Sequence, residues 1–175
     1  MKSLKIIVII LAIIIGVGGS MWIFKSKRNN NVKVKSIIKD TKSFHFSYSV
    51  GNYMNASYSY DVELEDGKYF AIYKADGVSE EDAFKKEISK DTVLELEKIL
   101  NEYKIYKWDG FNKSDKNVLD GYSFSLNYWN QNKEDIHASG YMMYPNNYRE
   151  FRSAIINFYN VLFEEEIKTL KSPIW

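Results

Sequence analysis

The stretch Ser43-Phe44-His45-Phe46-Ser47-Tyr48-Ser49-Val50 places a bulky side chain at every second position and a small or polar one between. Successive side chains of a strand point to opposite faces, so this period of two predicts a strand with one packed and one wet face. Gly51 and Asn52 supply a turn. Met54, Ala56, Tyr58, Tyr60, Val62 and Leu64 then continue the alternation against Asn55, Ser57, Ser59, Asp61 and Glu63. Asp66-Gly67 offers the positive-φ positions of a tight hairpin into a third strand over residues 69–75. Residues 83–88 add a candidate fourth strand beyond an acidic loop.

Further along, the period changes. Ser89 or Asp91 can cap a helix that gathers Val93, Leu96, Ile99, Leu100 and Tyr103 on one face, with Glu95, Glu97, Lys98 and Glu102 opposite. Residues 104–120 read as a linking segment. Tyr122, Phe124, Leu126 and Tyr128 then alternate with Ser123, Ser125 and Asn127, and a polar turn over residues 130–135 returns through Ile136, Ala138, Gly140 and Met142. Asn147 with Glu150 fits a capping box just after Pro145, opening a helix striped with Tyr148, Phe151, Ile155, Phe158 and Leu162. The order meander, helix, hairpin, helix predicts an α+β domain. Its antiparallel β-sheet, of about five or six strands, is covered on one face by two helices.

Upstream of this domain, the nineteen residues from Ile6 to Phe24 carry no charge, and Ile6 to Ile15 is an unbroken apolar run. As a helix it matches the roughly 30 Å hydrocarbon core of a bilayer. Lys2 and Lys5 before it, with Gly16, Gly18, Gly19 and Ser20 after the run, also have the layout of a cleavable signal peptide. Apolar character resuming at Met21, Trp22, Ile23 and Phe24, with Trp22 at interfacial depth, favours a retained anchor. The expected organisation is an N-terminal membrane anchor (signal-anchor) over residues 1–28, a linker over 29–42 and an α+β domain over 43–175. Charge counting with Lys25, Lys27 and Arg28 slightly favours a cytoplasmic domain, whereas the signal-like start favours an extracytoplasmic one, and an extracytoplasmic domain over 43–175 is the expectation.

The chain holds 24 Lys plus Arg and 23 Asp plus Glu, and five of the basic residues precede Asn29 while no acid does. The remainder therefore has 19 basic and 23 acidic residues, a net charge of −4. A mildly acidic domain has no general attraction for nucleic acid. With no cysteine anywhere, neither a disulfide nor a lipidated cysteine is available.

One segment has the character of a motif: Trp108-Asp109-Gly110-Phe111, then Leu119-Asp120-Gly121 before the aromatic strand. With Phe124, Leu126, Ala138, Ser139, Gly140 and Pro145, it resembles an uncharacterised family of secreted or membrane-attached proteins of Gram-positive bacteria, many of them lipoproteins. The resemblance spans residues 43–163 and implies an extracytoplasmic location and no known activity. The chain departs from the lipoprotein members in lacking the acylated cysteine. On the residues themselves, Trp108 and Phe111 read as plugs of the core edge, with Gly110 and Gly121 turning the backbone and Asp120 in the turn. The twelve residues from Asp109 to Asp120 do not make a calcium loop, because Phe111, Lys113 and Ser114 occupy positions that need oxygen ligands or Gly.

No catalytic set, cofactor motif or metal cluster is legible. His45 and His137 sit on polar strand faces of different hairpins and could meet only if those strands were neighbours. The Asp61, Glu63, Glu65 and Asp66 cluster invites comparison with a glycan hydrolase's acid pair, but carboxylates at a hairpin end are usually solvated. Binding is the better class. Fourteen Tyr, ten Phe and four Trp exceed the needs of a core this size, and Trp129, Tyr141, Tyr144 and Tyr148 are the candidate binding surface. The expected function is a non-enzymatic binding or scaffolding domain of the bacterial envelope, held to the membrane by its N-terminal helix and contacting an envelope protein or glycan. The alternatives are a cytoplasm-facing immunity or regulatory protein and a carboxylate-dependent wall hydrolase.

Overall fold

Alternating sequence becomes alternating burial: in strand β1 (Thr41–Ser49), Phe44, Phe46 and Tyr48 are buried, while Ser43, His45, Ser47 and Ser49 face outward. The computed structural model describes residues 38–49, 57–118 and 120–171, all within the unit Lys35–Trp175. The apolar run of residues 6–24, with Ile6, Ile15, Trp22 and Phe24, lies outside the described residues, as does the Gly51-Asn52 turn. Among the described residues no helix is long and apolar enough to cross a membrane.

Strand β2 (Ser57–Glu65) pairs antiparallel with β1, β3 (Lys68–Lys74) with β2, and β4 (Phe84–Ile88) with β3. The β2–β3 turn has Asp66 at φ 48° and Gly67 at φ 82°, as the Asp-Gly signal predicts. On the other side of β1 come β6 (Ser123–Asn130) and β7 (Asp135–Tyr141), and β5 (Phe111–Ser114) closes the edge. The strand order is β4-β3-β2-β1-β6-β7-β5.

This corrects the expected antiparallel sheet of five or six strands. Among the described residues there are seven strands and the sheet is mixed, because β5 runs parallel to β7 with Phe111 opposite Ala138. Four residues are too few to display a period of two, and parallel pairing needs no hairpin turn to announce it. Among the described residues the helix count also rises from two to three: α1 (Lys90–Glu102), α2 (Tyr148–Leu162) and the short α3 (Glu164–Lys171).

The inner face is an aromatic ladder. Tyr58, Tyr48, Tyr60, Tyr73 and Phe84 stack ring on ring across β1 to β4, with centroids 5.1–6.3 Å apart. Helix α2 crosses this face from β6 to β3: Tyr148 meets Phe124, Phe151 meets Phe46, Tyr159 meets Tyr60, and Phe163, just past the helix, meets Tyr73. Its buried stripe is thus Tyr148, Phe151, Ile155 and Tyr159. The expected Phe158 and Leu162 are only partly buried against the core.

Two capping expectations part company. Ser89 caps α1, accepting a hydrogen bond from the Thr92 amide at 3.1 Å. The Asn147–Glu150 capping box does not form: Asn147 adopts a left-handed conformation, φ 63°, and its side chain caps nothing. Glu97, expected on the wet face of α1, is buried. Its Oε1 accepts from both the amide and the hydroxyl of Thr41 at 2.8 Å. Asn101, one turn on, exchanges hydrogen bonds with the Ile38 amide and carbonyl at 2.7 Å. Ile38, assigned to the linker on sequence, is therefore docked on α1 and buried, while the Lys39 and Asp40 carbonyls accept from the Tyr128 hydroxyl and the Gln131 amide.

Candidate functional site

The Trp108 segment is structural in its placement. Trp108 ends a 3-10 turn (Ile105–Trp108) and is buried edge-to-face on Phe151 at 5.1 Å, while Phe111 lies 6.1 Å from Phe124. Gly110 holds φ 75°, where a side chain is strained, and its amide bonds to the His137 carbonyl at 2.9 Å. Gly121 serves by close approach instead, since a Cβ there would run into the Met142 side chain. Asp120 is exposed.

On the open face, cross-strand register sets residues in rows. One row runs Ile72, Asp61, His45, Asn127, His137. The two histidines share it but do not touch, because β6 intervenes: His137 Nδ1 lies 2.8 Å from Asn127 Oδ1, and His45 Nδ1 lies 2.5 Å from Asp61 Oδ1. His45 Nε2 is also 3.1 Å from the Ser47 hydroxyl, so Asp61, His45 and Ser47 stand in the order of an acid–base–nucleophile set. Strand β1 is paired on both sides, however, so the amides around Ser47 are committed to ladder bonds rather than free to hold an oxyanion. Of the other carboxylates, one is paired with a lysine. Glu65 binds Lys85 at 2.8 Å, which lowers its pKa, while burial and then Glu65 raise that of Glu63. Asp66 occupies the hairpin turn. Among the described residues no group of three or more His, Asp or Glu is arranged to hold a metal ion.

The His45–Asp61 pair carries a pH signature. The hydrogen bond to Asp61 raises the His45 pKa above its ordinary 6.5, with burial opposing and Glu80 and Lys74 acting at longer range. Stability from the protonated ring is therefore fully present below pH 6.5 and lost as pH rises through the higher folded value. The unfolding midpoint is expected to fall as pH rises above about 6.5. Asp61→Asn should flatten that slope; a slope unchanged in the variant would remove the pair as its source.

The four aromatic candidates separate. Trp129, 38 % exposed, stands on the open face edge-to-face with His137 at 5.0 Å. Tyr141 is on the same face, twelve residues along the chain and opposite Ser123, six residues from Trp129 along β6. At about 3.3 Å per residue, that puts it some 20 Å away. Tyr144 and Tyr148 do come together, stacked at 4.5 Å, at the end of the sheet where α2 begins.

That end holds a cleft of about 790 Å³. Tyr48 and Tyr58 form one wall, stacked at 5.1 Å, and Tyr144 and Tyr148 another. The rim is made by Tyr122 and Met142, which are locked together: the Met142 amide bonds to the Tyr122 carbonyl at 2.9 Å, and the Tyr122 amide to Met142 Sδ at 3.2 Å. Met142 takes a left-handed φ of 56° to do so. From the first turns of α2 come Arg149, Arg152 and Ser153, and Ser49 completes the lining. Among the described residues no Asp or Glu lines the cleft. The Arg152 guanidinium lies 5.1 Å from the centroid of the Tyr48 ring and donates a hydrogen bond to the Tyr148 hydroxyl, while its Nε is buried without a hydrogen-bond partner among the described residues. Burial raises the pKa of Tyr58, Tyr144 and Tyr148, with Arg152 opposing it at the last two, so the phenols stay protonated at neutral pH.

Sequence reasoning singled out two of these residues and missed Tyr48, Tyr58, Tyr122, Met142, Arg149 and Arg152, which come from five separated segments. A signal existed. Of the nineteen basic residues after Asn29, only two are arginines, Arg149 and Arg152, and both line the cleft.

Fold and cleft together define an α+β domain with a tyrosine-walled, arginine-bearing cleft at one end of a mixed sheet. No protein-family model matches the chain, and no curated protein matches it.

Proposed function

We propose that this chain is a membrane-anchored, outward-facing binding domain of the bacterial envelope, acting without catalysis, and that its ligand seat is the cleft of Tyr48, Tyr58, Tyr144 and Tyr148. The cleft carries the reading. Its volume lies within the roughly 300–1,000 Å³ of small-ligand sites, and it combines apolar ring faces with a few placed polar groups. Tyrosines add contact area at low entropic cost and keep a donor for orientation. The charge-free run of residues 6–24 supports the anchor, and the family resemblance supports the outward orientation.

Two measurements test this. With a tag after Trp175, protease added to intact protoplasts is expected to remove the tag; protection until lysis would replace the reading with a cytoplasm-facing regulatory or immunity protein. Wild-type protein is expected to retain a ligand from envelope extracts and Tyr58→Ala or Tyr144→Ala to lose it. Equal retention by all three would move the binding site away from the cleft.

A further inference from the structure

We propose that the ligand of this cleft is an acidic glycan, with a carboxylate or phosphate held by Arg149 and Arg152 and a sugar ring laid against the tyrosine wall. The inference rests on the cleft being the ligand seat and goes on to name what fills it.

Placement of arginine is the first observation. Seventeen lysines serve the rest of the chain after Asn29, yet both arginines sit one helical turn apart in this one cleft. Lysine supplies charge at a surface equally well. What arginine adds is a planar fork that matches a carboxylate or phosphate with two parallel hydrogen bonds.

The second observation is that this charge is uncompensated. Among the described residues neither guanidinium forms an ion pair, and no acid lines the cleft, although the domain as a whole is acidic. The Arg152 Nε, buried and unpartnered among the described residues, is the kind of group that native proteins rarely leave unsatisfied. Movement of the guanidinium onto an anion would relieve it.

The third observation is the character of the walls. Two stacked tyrosine pairs face the same space, each offering a ring for the C–H face of a sugar and a phenol group for its hydroxyls. A lipid chain would want an apolar wall without these phenols, and a free inorganic anion would leave most of the 790 Å³ unfilled.

Labelled oligosaccharides titrated into the full-length chain in detergent micelles, read by fluorescence anisotropy, test the assignment. The probes are a neutral N-acetylhexosamine tetramer, a hexuronic-acid tetramer and a phosphorylated tetramer; inorganic phosphate and acetate serve as competitors. The acidic tetramers are expected to bind at least about 10-fold more tightly than the neutral one, and Arg149→Gln and Arg152→Gln are each expected to lose about 10-fold or more. Arg149 is exposed, so its variant stays interpretable should Arg152→Gln fail to fold. The carboxylate and phosphate arms show which acid is preferred, and Lys85→Gln, on the opposite face, should change nothing. Equal binding of neutral and acidic tetramers, insensitive to both arginine variants but lost in Tyr144→Ala, would overturn the acidic assignment and leave the cleft as the seat. If no tetramer binds while a cleft-dependent envelope ligand is still recovered, the glycan assignment falls alone; if neither is seen, the binding function falls with it.

Discussion

Phe151→Ala is expected to destabilise the domain by about 3–5 kcal/mol, the usual cost of emptying a buried phenylalanine site. Phe151 is fully buried at the crossing of three elements: its ring meets Phe46 of β1 edge-on at 5.1 Å, Trp108 of the 3-10 turn at 5.1 Å, and Tyr103 after α1 at 6.1 Å. Large, stiff rings on all sides cannot collapse into the space, so the lost transfer energy and the cavity term add. Val161 on the same helix is 79 % exposed, and Val161→Ala should stay within about 0.5 kcal/mol. Denaturant unfolding followed by tryptophan fluorescence reads both. A Phe151→Ala midpoint equal to wild type would mean that α2 is not seated on the sheet through this residue.

The same helix shows how far periodicity carries. An apolar stripe reports that a helix has a buried face, and Tyr148, Phe151 and Ile155 were legible for that reason. Where the stripe drifts, periodicity cannot choose between neighbours. Phe158 and Tyr159 are adjacent aromatics, and Tyr159 goes inside because its hydroxyl finds the Asp61 carbonyl at 2.7 Å, a partner visible only in three dimensions. Strand β5 is hidden in the sequence for a related reason. Its pairing is parallel and its four residues make no pattern, so what specifies it is the long-range strap of Gly110 and Asp109 onto His137.

The cleft was less legible than the fold because its residues are joined by topology rather than by spacing. Tyr48 is one residue from the end of β1, Tyr58 is the second residue of β2, and Tyr144 and Tyr148 follow β7. They meet because β1 lies between β2 and β6, which brings these strand ends to one end of the sheet. A sequence window sees the aromatics near residue 129 and those near residue 144 as one cluster. The pleat and the length of β6 put Trp129 on the other face and at the far end. Only the arginine pair carried a local signal, a residue type chosen twice within one turn and nowhere else in the domain.

Glu97→Ala is expected to cost about 2–4 kcal/mol, because it strands two donors of Thr41 in the interior, each worth roughly 1–3 kcal/mol when left unsatisfied. On sequence alone Glu97 belongs with Glu95, Lys98 and Glu102 on the wet side of α1, where an alanine substitution would change stability by less than about 0.5 kcal/mol. Burial reverses that expectation. Thr41 is wholly buried and Glu97 is 7 % exposed, so water cannot replace the lost acceptor. Glu97→Gln keeps an oxygen at the same place and should cost less than alanine, and Thr41→Val, which removes one donor, should cost less than Glu97→Ala. In the Thr41→Val/Glu97→Ala double variant the losses should fall short of their sum, because the hydroxyl stranded by one change is absent in the other. Asn101 holds Ile38 independently, so the chain entering β1 stays tethered at one point while the other is tested. Strictly additive losses, or a Glu97→Ala cost below about 0.5 kcal/mol, would return Glu97 to the solvated face that the helical period assigns it.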